Sequence, residues 1–446
     1  MLMRFNVNNF LSFKEIQEFS MIKTAVRKNP HHLIKGDEVS LLKLATMYGA
    51  NAAGKSNLIK AMDTSQKIIL NGLNKSNKNK YYKLEKKYEL EETLFEYEIK
   101  INNKFYAYGF KCILSELKIT AEWLYEISKS KQEYIFERDV LNKDYRIQPF
   151  NDLAIDDRLN IYLDDMKTNM EFLFLKDINR NKLLFEKHTE LLVFQDVYRW
   201  FEEVLTIVFP DTALPHLDFL ITENEEEQQK LFQLMDVFNT GITDIEFVEK
   251  STDEFKSFIS KTLLDEIERK LDNSKTSKHI IRTNKNYQLV ELDEDGELQV
   301  KDIVFKHGNL NCIFDFYEES DGTRRLFDLL SVLITNKEKV YIIDELDRSL
   351  HPNLTYKFIE LFLDLCQGQL NQLIITTHED RIIDLNLLRR DEIWFVEKRA
   401  QGDSIIYSLD SFGNQFDKRV CEAYLEGRFG AIPKFKRYSP LFREER

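Results

Sequence analysis

Residues 1–19 alternate apolar and polar side chains, with Met3, Phe5 and Val7 set against Arg4, Asn6 and Asn8. That two-residue period predicts a strand, and residues 13–19 can return as a second after a turn near 8–12. An apolar run rich in strand formers covers 41–48. Helix-compatible residues follow from 55 and stop near Asn71-Gly72, a good C-cap. From 88 to 148 the period returns to two. The runs LFEYEI (94–99) and FYAYGF (105–110) are joined by Asn102-Asn103, which predicts a hairpin within an antiparallel sheet.

Between 151 and 277 apolar positions recur at helical spacing, in MEFLFLKDINRNK, LLVFQDVYRWFEEVLTIVF and EEEQQKLFQLMDVFNT. Pro210 and Pro215 break the run, and residues 223–227 form an acidic helix start. No long unbroken heptads run through it, so a coiled-coil arm is not expected. Strand patterns resume over 279–290, and the acidic cluster 293–296 marks a turn. Three short apolar strands close the chain: 340–343, 372–377 and 392–396. Each is of the kind covered on both faces of a parallel sheet, and alternation with helices puts ligand at their carboxyl ends. The expected class is therefore α/β. Three parts are expected: 1–150, a helical insertion over 151–277, and 278–446.

The length of 446 residues accommodates two or three domains, and the 43% apolar content is that of a soluble protein. No stretch approaches a membrane span, and the start has no signal-peptide h-region, so a cytoplasmic protein is expected. Cys112, Cys312, Cys366 and Cys421 lie far apart without metal spacing and are expected to be small buried hydrophobes in a reducing compartment. Net charge is 63 minus 76, or −13, which argues against a surface that coats nucleic acid everywhere. A local groove is compatible with it. Basic residues gather at 75–87 (KSNKNKYYKLEKK) and after Gly430; Tyr81 and Tyr82 in the first run can stack on bases, or the run is a solvated loop.

Residues 49–56 read Gly-Ala-Asn-Ala-Ala-Gly-Lys-Ser between an expected strand and an expected helix. This is a P-loop in its confirming context. Gly49 and Gly54 let the backbone curl so that N–H groups, including that of Asn51, face phosphate oxygens. The helix that begins near Lys55 adds its positive end. Lys55 is expected to reach the β- and γ-phosphates of ATP and Ser56 to ligate Mg²⁺. Asp344, at the end of 340–343, can hold Mg²⁺ through water, and Glu345 can act as general base or orient the attacking water. His378, at the tip of the neighbouring strand, is placed to touch the γ-phosphate. In 316–325, Ser320 and Gly322 precede an apolar helix; this is either a second anion site or only a capped helix.

The order of these segments resembles the design of ABC-type ATPases. YGANAAGKSNL, EESDGTRRLF, IIDELDRSLHP and TTHE are similar to segments of the SMC- and RecF-like ABC ATPases, and more narrowly of AAA-type ATPases of the abortive-infection group. The closing RRDEIWFVEK…SIIYSLDSF…YLEGRFGAIP is similar to the same family's pattern. The resemblance implies an ABC-type head, whose two lobes are 1–150 and 278–446. It implies nucleotide binding by Gly54, Lys55, Ser56 and Asn57, and a signature of Ser320, Gly322 and Thr323 acting on a partner subunit. Asp344 and Glu345 become the Mg²⁺ and water pair, Asp347 the D-loop residue and His378 the switch.

Nucleotide is then expected between the subunits of a head-to-tail homodimer or higher oligomer. OLD-type relatives carry a Toprim nuclease after the ATPase; here the expected effector, a nuclease or other protein, is separate. Two functions compete: the ATPase sensor of an antiphage defence system, or a RecF/SMC-like repair ATPase that clamps DNA directly. The acidic charge and the missing coiled coil favour the first.

Overall fold

The computed structural model describes residues 1–128, 131–147, 157–210, 225–259, 278–283, 286–293, 296–308, 312–334, 338–413 and 420–432, with single positions between 259 and 278. The basic run 434–446, Pro215, residues 223–224 and the 294–295 tip of the expected turn lie outside them. The chain forms two compact units. The first comprises Met1–Ile207, Lys337–Leu346 and Cys366–Arg446; the second comprises Val208–Asn336 and Asp347–Leu365.

The first unit holds two sheets. One is a seven-stranded antiparallel sheet in the spatial order 144–147, 132–139, 118–127, 104–113, 93–101, 2–8 and 17–20. Its 93–101/104–113 hairpin turns at Asn102 and Asn103, both at positive φ, as the Asn-Asn pair predicts. The other has the order Leu205–Val208, Lys339–Ile343, Asn371–Thr376, Leu44–Tyr48, Ile393–Lys398 and Ser404–Ser408. Its four strands from Lys339–Ile343 to Ile393–Lys398 run parallel, and Ser404–Ser408 returns antiparallel. The expected α/β class, with a parallel core and an antiparallel sheet, is thus present.

The helix Lys55–Asn71 ends at Gly72 with φ 84°. It packs on the antiparallel sheet, where Ser65 Oγ and Tyr97 Oη lie 2.7 Å apart and Tyr97 Oη donates to the Met62 carbonyl at 3.1 Å. Its Gln66 Nε2 also donates to the carbonyls of Phe201 and Leu205. Strand, helix and both sheets are thereby held in one core around the chain's Gly-rich turn.

The unit boundaries differ from the division at 150 and 277, and the contacts give the reason. Helices Asp157–Thr168 and Phe174–Ile178 belong with the first unit. Buried Glu122 of the antiparallel sheet accepts hydrogen bonds from the Phe174 and Leu175 N–H groups at 2.8 and 3.0 Å. Arg138, 3.2 Å from Glu122, donates to the Phe172 carbonyl. Burial pushes the Glu122 carboxyl up, against the pull of Arg138. The segment Ile242–Lys250, expected within the helical stretch, is a strand. ITDIEFVEK has little helical spacing of its own, and it pairs along its length with Leu298–His307.

The second unit carries this strand in an antiparallel sheet with Leu298–His307, Tyr287–Leu292, Lys278–Arg282 and Ile313–Asp315. Helices Glu225–Val237, Thr252–Phe258, Asp321–Ile334 and Pro352–Leu365 lie in the same unit. Two expectations on single residues fail. Cys112 and Cys366 are buried, but Cys312 is exposed and Cys421 half-buried. Tyr82 is 1% exposed, ring-to-edge with Tyr88 at 5.3 Å, and so presents no face to a base.

Candidate nucleotide site

Leu44–Tyr48 is buried throughout, delivers the chain at the carboxyl end of the parallel strands, and the helix restarts at Lys55. Between them the backbone turns back on itself, with the Ala53 N–H on the Ala50 carbonyl at 3.1 Å. Gly54 sits at φ 116°, and a Cβ there would lie 2.5 Å from Ser404 Oγ and 2.9 Å from Ser12 Oγ. Only glycine satisfies both constraints. Ser404 Oγ in turn donates to the Ala53 carbonyl at 2.6 Å, and the Ser404 N–H to the Ser12 carbonyl at 2.8 Å. The loop is thus braced from outside by Ser12 and Ser404, which no sequence motif marks.

Lys55 is only 6% exposed, and its ammonium lies over the loop, 2.7 Å from the Gly49 carbonyl oxygen and 3.5 Å from that of Ala50. Gly49 itself has no room for a side chain, since a Cβ would lie 2.4 Å from the Val396 carbonyl oxygen. Asn51 is exposed and lines a cavity of about 140 Å³ with Ala50, Ala53, Glu397, Lys398, Ala431 and Ile432. The Asn57 amide donates to Ser12 Oγ at 2.8 Å, so its visible work is on the brace.

Lys339–Ile343 ends in Asp344, 3% exposed, and Ser56 Oγ donates to Asp344 Oδ1 at 3.1 Å. This contact joins residues 288 positions apart. Thr376, at the end of the next strand, donates its hydroxyl to the same oxygen at 2.6 Å. That hydroxyl also accepts the Glu345 N–H at 2.8 Å. Glu345 is half-buried and has φ 50°, a left-handed conformation that costs a non-glycine residue about 1 kcal/mol or more. One threonine therefore holds both the carboxylate and the strained backbone beside it. A repeated Thr-Thr before His378 was the sequence signal for it. His378 follows the same strand and is exposed.

Asp344 is a buried carboxylate with no cationic partner among the described residues and two hydroxyls on one oxygen. That set suits a hard divalent cation. The buried Lys55 ammonium above an N–H-lined turn suits an anion.

Ser320, Gly322, Thr323 and Asp347 belong to the second unit, the other site residues to the first. Ser320 is exposed; its Oγ accepts the Thr323 N–H at 3.1 Å and lies 2.9 Å from Thr323 Oγ1, an N-cap of the helix Asp321–Ile334. A Cβ at Gly322 would come within 2.9 Å of the Ser349 carbonyl oxygen. Ser349 lies in the turn closed by the Leu350 N–H on the Asp347 carbonyl at 3.0 Å, and has φ 64°. The glycine of the signature segment and the turn that follows Asp347 are therefore in direct contact.

Residues 44–384 match the family model described as "AAA domain, putative AbiEii toxin, Type IV TA system". No curated protein matches the chain. Among solved structures, it is similar to an SMC head bound to the C-winged helix domain of ScpA. The identity is 14%, 92% of this chain and 99% of that one are covered, and the TM-score is 0.41. It is similar also to the SMC head domain from Thermotoga maritima, at 11% identity, 91% and 98% coverage and a TM-score of 0.33. For an SMC head domain from Pyrococcus furiosus with an extended coiled coil, the values are 15%, 92%, 97% and 0.37.

Proposed function

The chain belongs to this AAA-domain family, a group of P-loop ATPases, and from that premise we propose that it hydrolyses Mg²⁺–ATP to control a separate effector in an antiphage, abortive-infection-type defence system. The observation that carries the catalytic part is the junction of Ser56, Asp344 and Thr376, with Glu345 hung from the same threonine. The family description supports the defence setting.

In this reading Lys55 and the N–H groups of the loop from Gly49 through Asn51 to Gly54 hold the β- and γ-phosphates. Ser56 and Asp344 would hold Mg²⁺, which would supply charge neutralisation for the phosphates. Glu345 accepts the proton of the attacking water or orients it, and His378 contacts the γ-phosphate. Two copies meet head to tail, and Ser320, Gly322, Thr323 and Asp347 of each complete the other's site. The state of that dimer is what the effector reads.

Glu345→Gln tests the chemistry. It should keep Mg²⁺–ATP bound, slow hydrolysis by about 10²–10⁴-fold and accumulate as an ATP-bound dimer. Near wild-type turnover overturns the assignment. The DNA-clamp alternative loses Tyr82 as a stacking surface. ATP-dependent DNA binding with a steep salt dependence would bring it back.

A further inference from the structure

The strands that end at the nucleotide site open on a second cavity at their other end. Leu44–Tyr48 begins next to Lys43, and Asn371–Thr376 next to Leu370. Around those two residues is a cavity of about 540 Å³, lined also by Pro30, His31, Leu33 and Lys35. Its size is that of a small-molecule site. None of its lining residues is acidic, although the chain carries 76 carboxylates against 63 Lys and Arg.

Lys43 is the residue that demands a reason. It is 1% exposed and makes no ion pair among the described residues; its ammonium donates to the Cys366 carbonyl. Its backbone is fixed from both sides, with its N–H on the His32 carbonyl at 2.9 Å and its carbonyl taking the Leu373 N–H at 2.7 Å. Burial lowers its pKa below the ordinary lysine value. A buried cation without a counter-charge is costly, and one carbonyl satisfies only one of an ammonium's three donors. Lys43 shares the lining of this cavity with apolar Pro30, Leu33 and Leu370 and with exposed Lys35.

We propose that this cavity binds a small organic anion, one carboxylate or phosphate on an apolar body. The acidic head pairs with Lys43, Lys35 adds charge, and the body lies on Pro30, Leu33 and Leu370. Because the P-loop occupies the opposite end of the same strands, this ligand does not compete with ATP.

Calorimetry on the full chain with hexanoate, hexyl phosphate and neutral hexanol tests this. At least one anion should bind, hexanol should not at the same concentration, and Mg²⁺–ATP should leave the anion affinity unchanged. The preferred head group separates carboxylate from phosphate. Lys43→Met should weaken binding by about tenfold or more, and the exposed Lys35→Ala by a smaller factor. If Lys43→Met does not fold, Lys35→Ala decides, and an unchanged affinity there overturns the site. So does equal binding of hexanol, failure of both anions, or unchanged affinity in folded Lys43→Met. Binding by a Glu-rich peptide while both small anions fail transfers the surface to a protein partner and overturns the proposal.

Discussion

The residues around the P-loop and those around Ser320 are built on opposite principles. At the P-loop, Lys55 and Asp344 are buried, and contacts from Ser12, Ser404 and Thr376 arrive from distant parts of the chain. At Ser320 the side chain is exposed, and its hydrogen bonds stay within one helical turn. A phosphate cradle must be rigid before its ligand comes, because donors reorganised on binding lose much of their value. An N-capping serine at an exposed helix end needs only its own turn to form, and remains available to a surface that arrives later. The contacts that brace the first region all come from its own chain. The second has the construction expected of a half-site for a partner.

The sharpest way to break this comparison is Lys55→Ala. With its ammonium gone, the cradle loses its charged contact, so ATP binding weakens and hydrolysis is abolished. Unchanged ATP affinity by calorimetry removes Lys55 from the phosphates. Ser320→Arg attacks the other region with a different signature. ATP binding to the monomer is kept, while dimer closure and hydrolysis are blocked by the long side chain at the helix end. Mixing the two variants should restore some hydrolysis, since one composite site then keeps both its P-loop and its signature. Full hydrolysis by Ser320→Arg, with unaltered oligomeric state in sedimentation, means that the signature assignment is wrong.

What could be read beforehand follows the same division. The P-loop, the Asp344-Glu345 pair and the Asn102-Asn103 turn are contiguous, and each declares itself through a local requirement for positive φ, a strand end or a helix start. Ser12 and Ser404 could not be found that way, because they reach the loop only once the strands are assembled; Ser404 lies 351 positions from Ala53. The helices after Asp157 look like part of an insertion until Glu122 and Arg138 are seen to bind that segment to the sheet. Tyr82 looks available in a basic run, yet tertiary packing against Tyr88 takes it inside. In each case packing in the folded chain overrode the local pattern.

Thr376→Val tests the rigid half where its parts converge. The hydroxyl gives its proton to Asp344 Oδ1 at 2.6 Å and accepts the Glu345 N–H at 2.8 Å. Valine has nearly the same shape but neither capacity, so the part-buried Glu345 N–H loses its acceptor and the buried carboxylate loses a donor. Leaving such groups unsatisfied costs about 1–3 kcal/mol, visible as a lower denaturation midpoint. Glu345 also loses the contact that holds its left-handed backbone, so turnover should fall by about tenfold while ATP affinity changes little. Ser320→Ala is the matched control. It removes an exposed cap and should cost about 0.5–2 kcal/mol, the smaller of the two losses. Equal losses of stability in the two variants, with unchanged turnover in Thr376→Val, would place Thr376 among ordinary strand residues. They would also erase the distinction between a pre-built cradle and a locally capped partner surface.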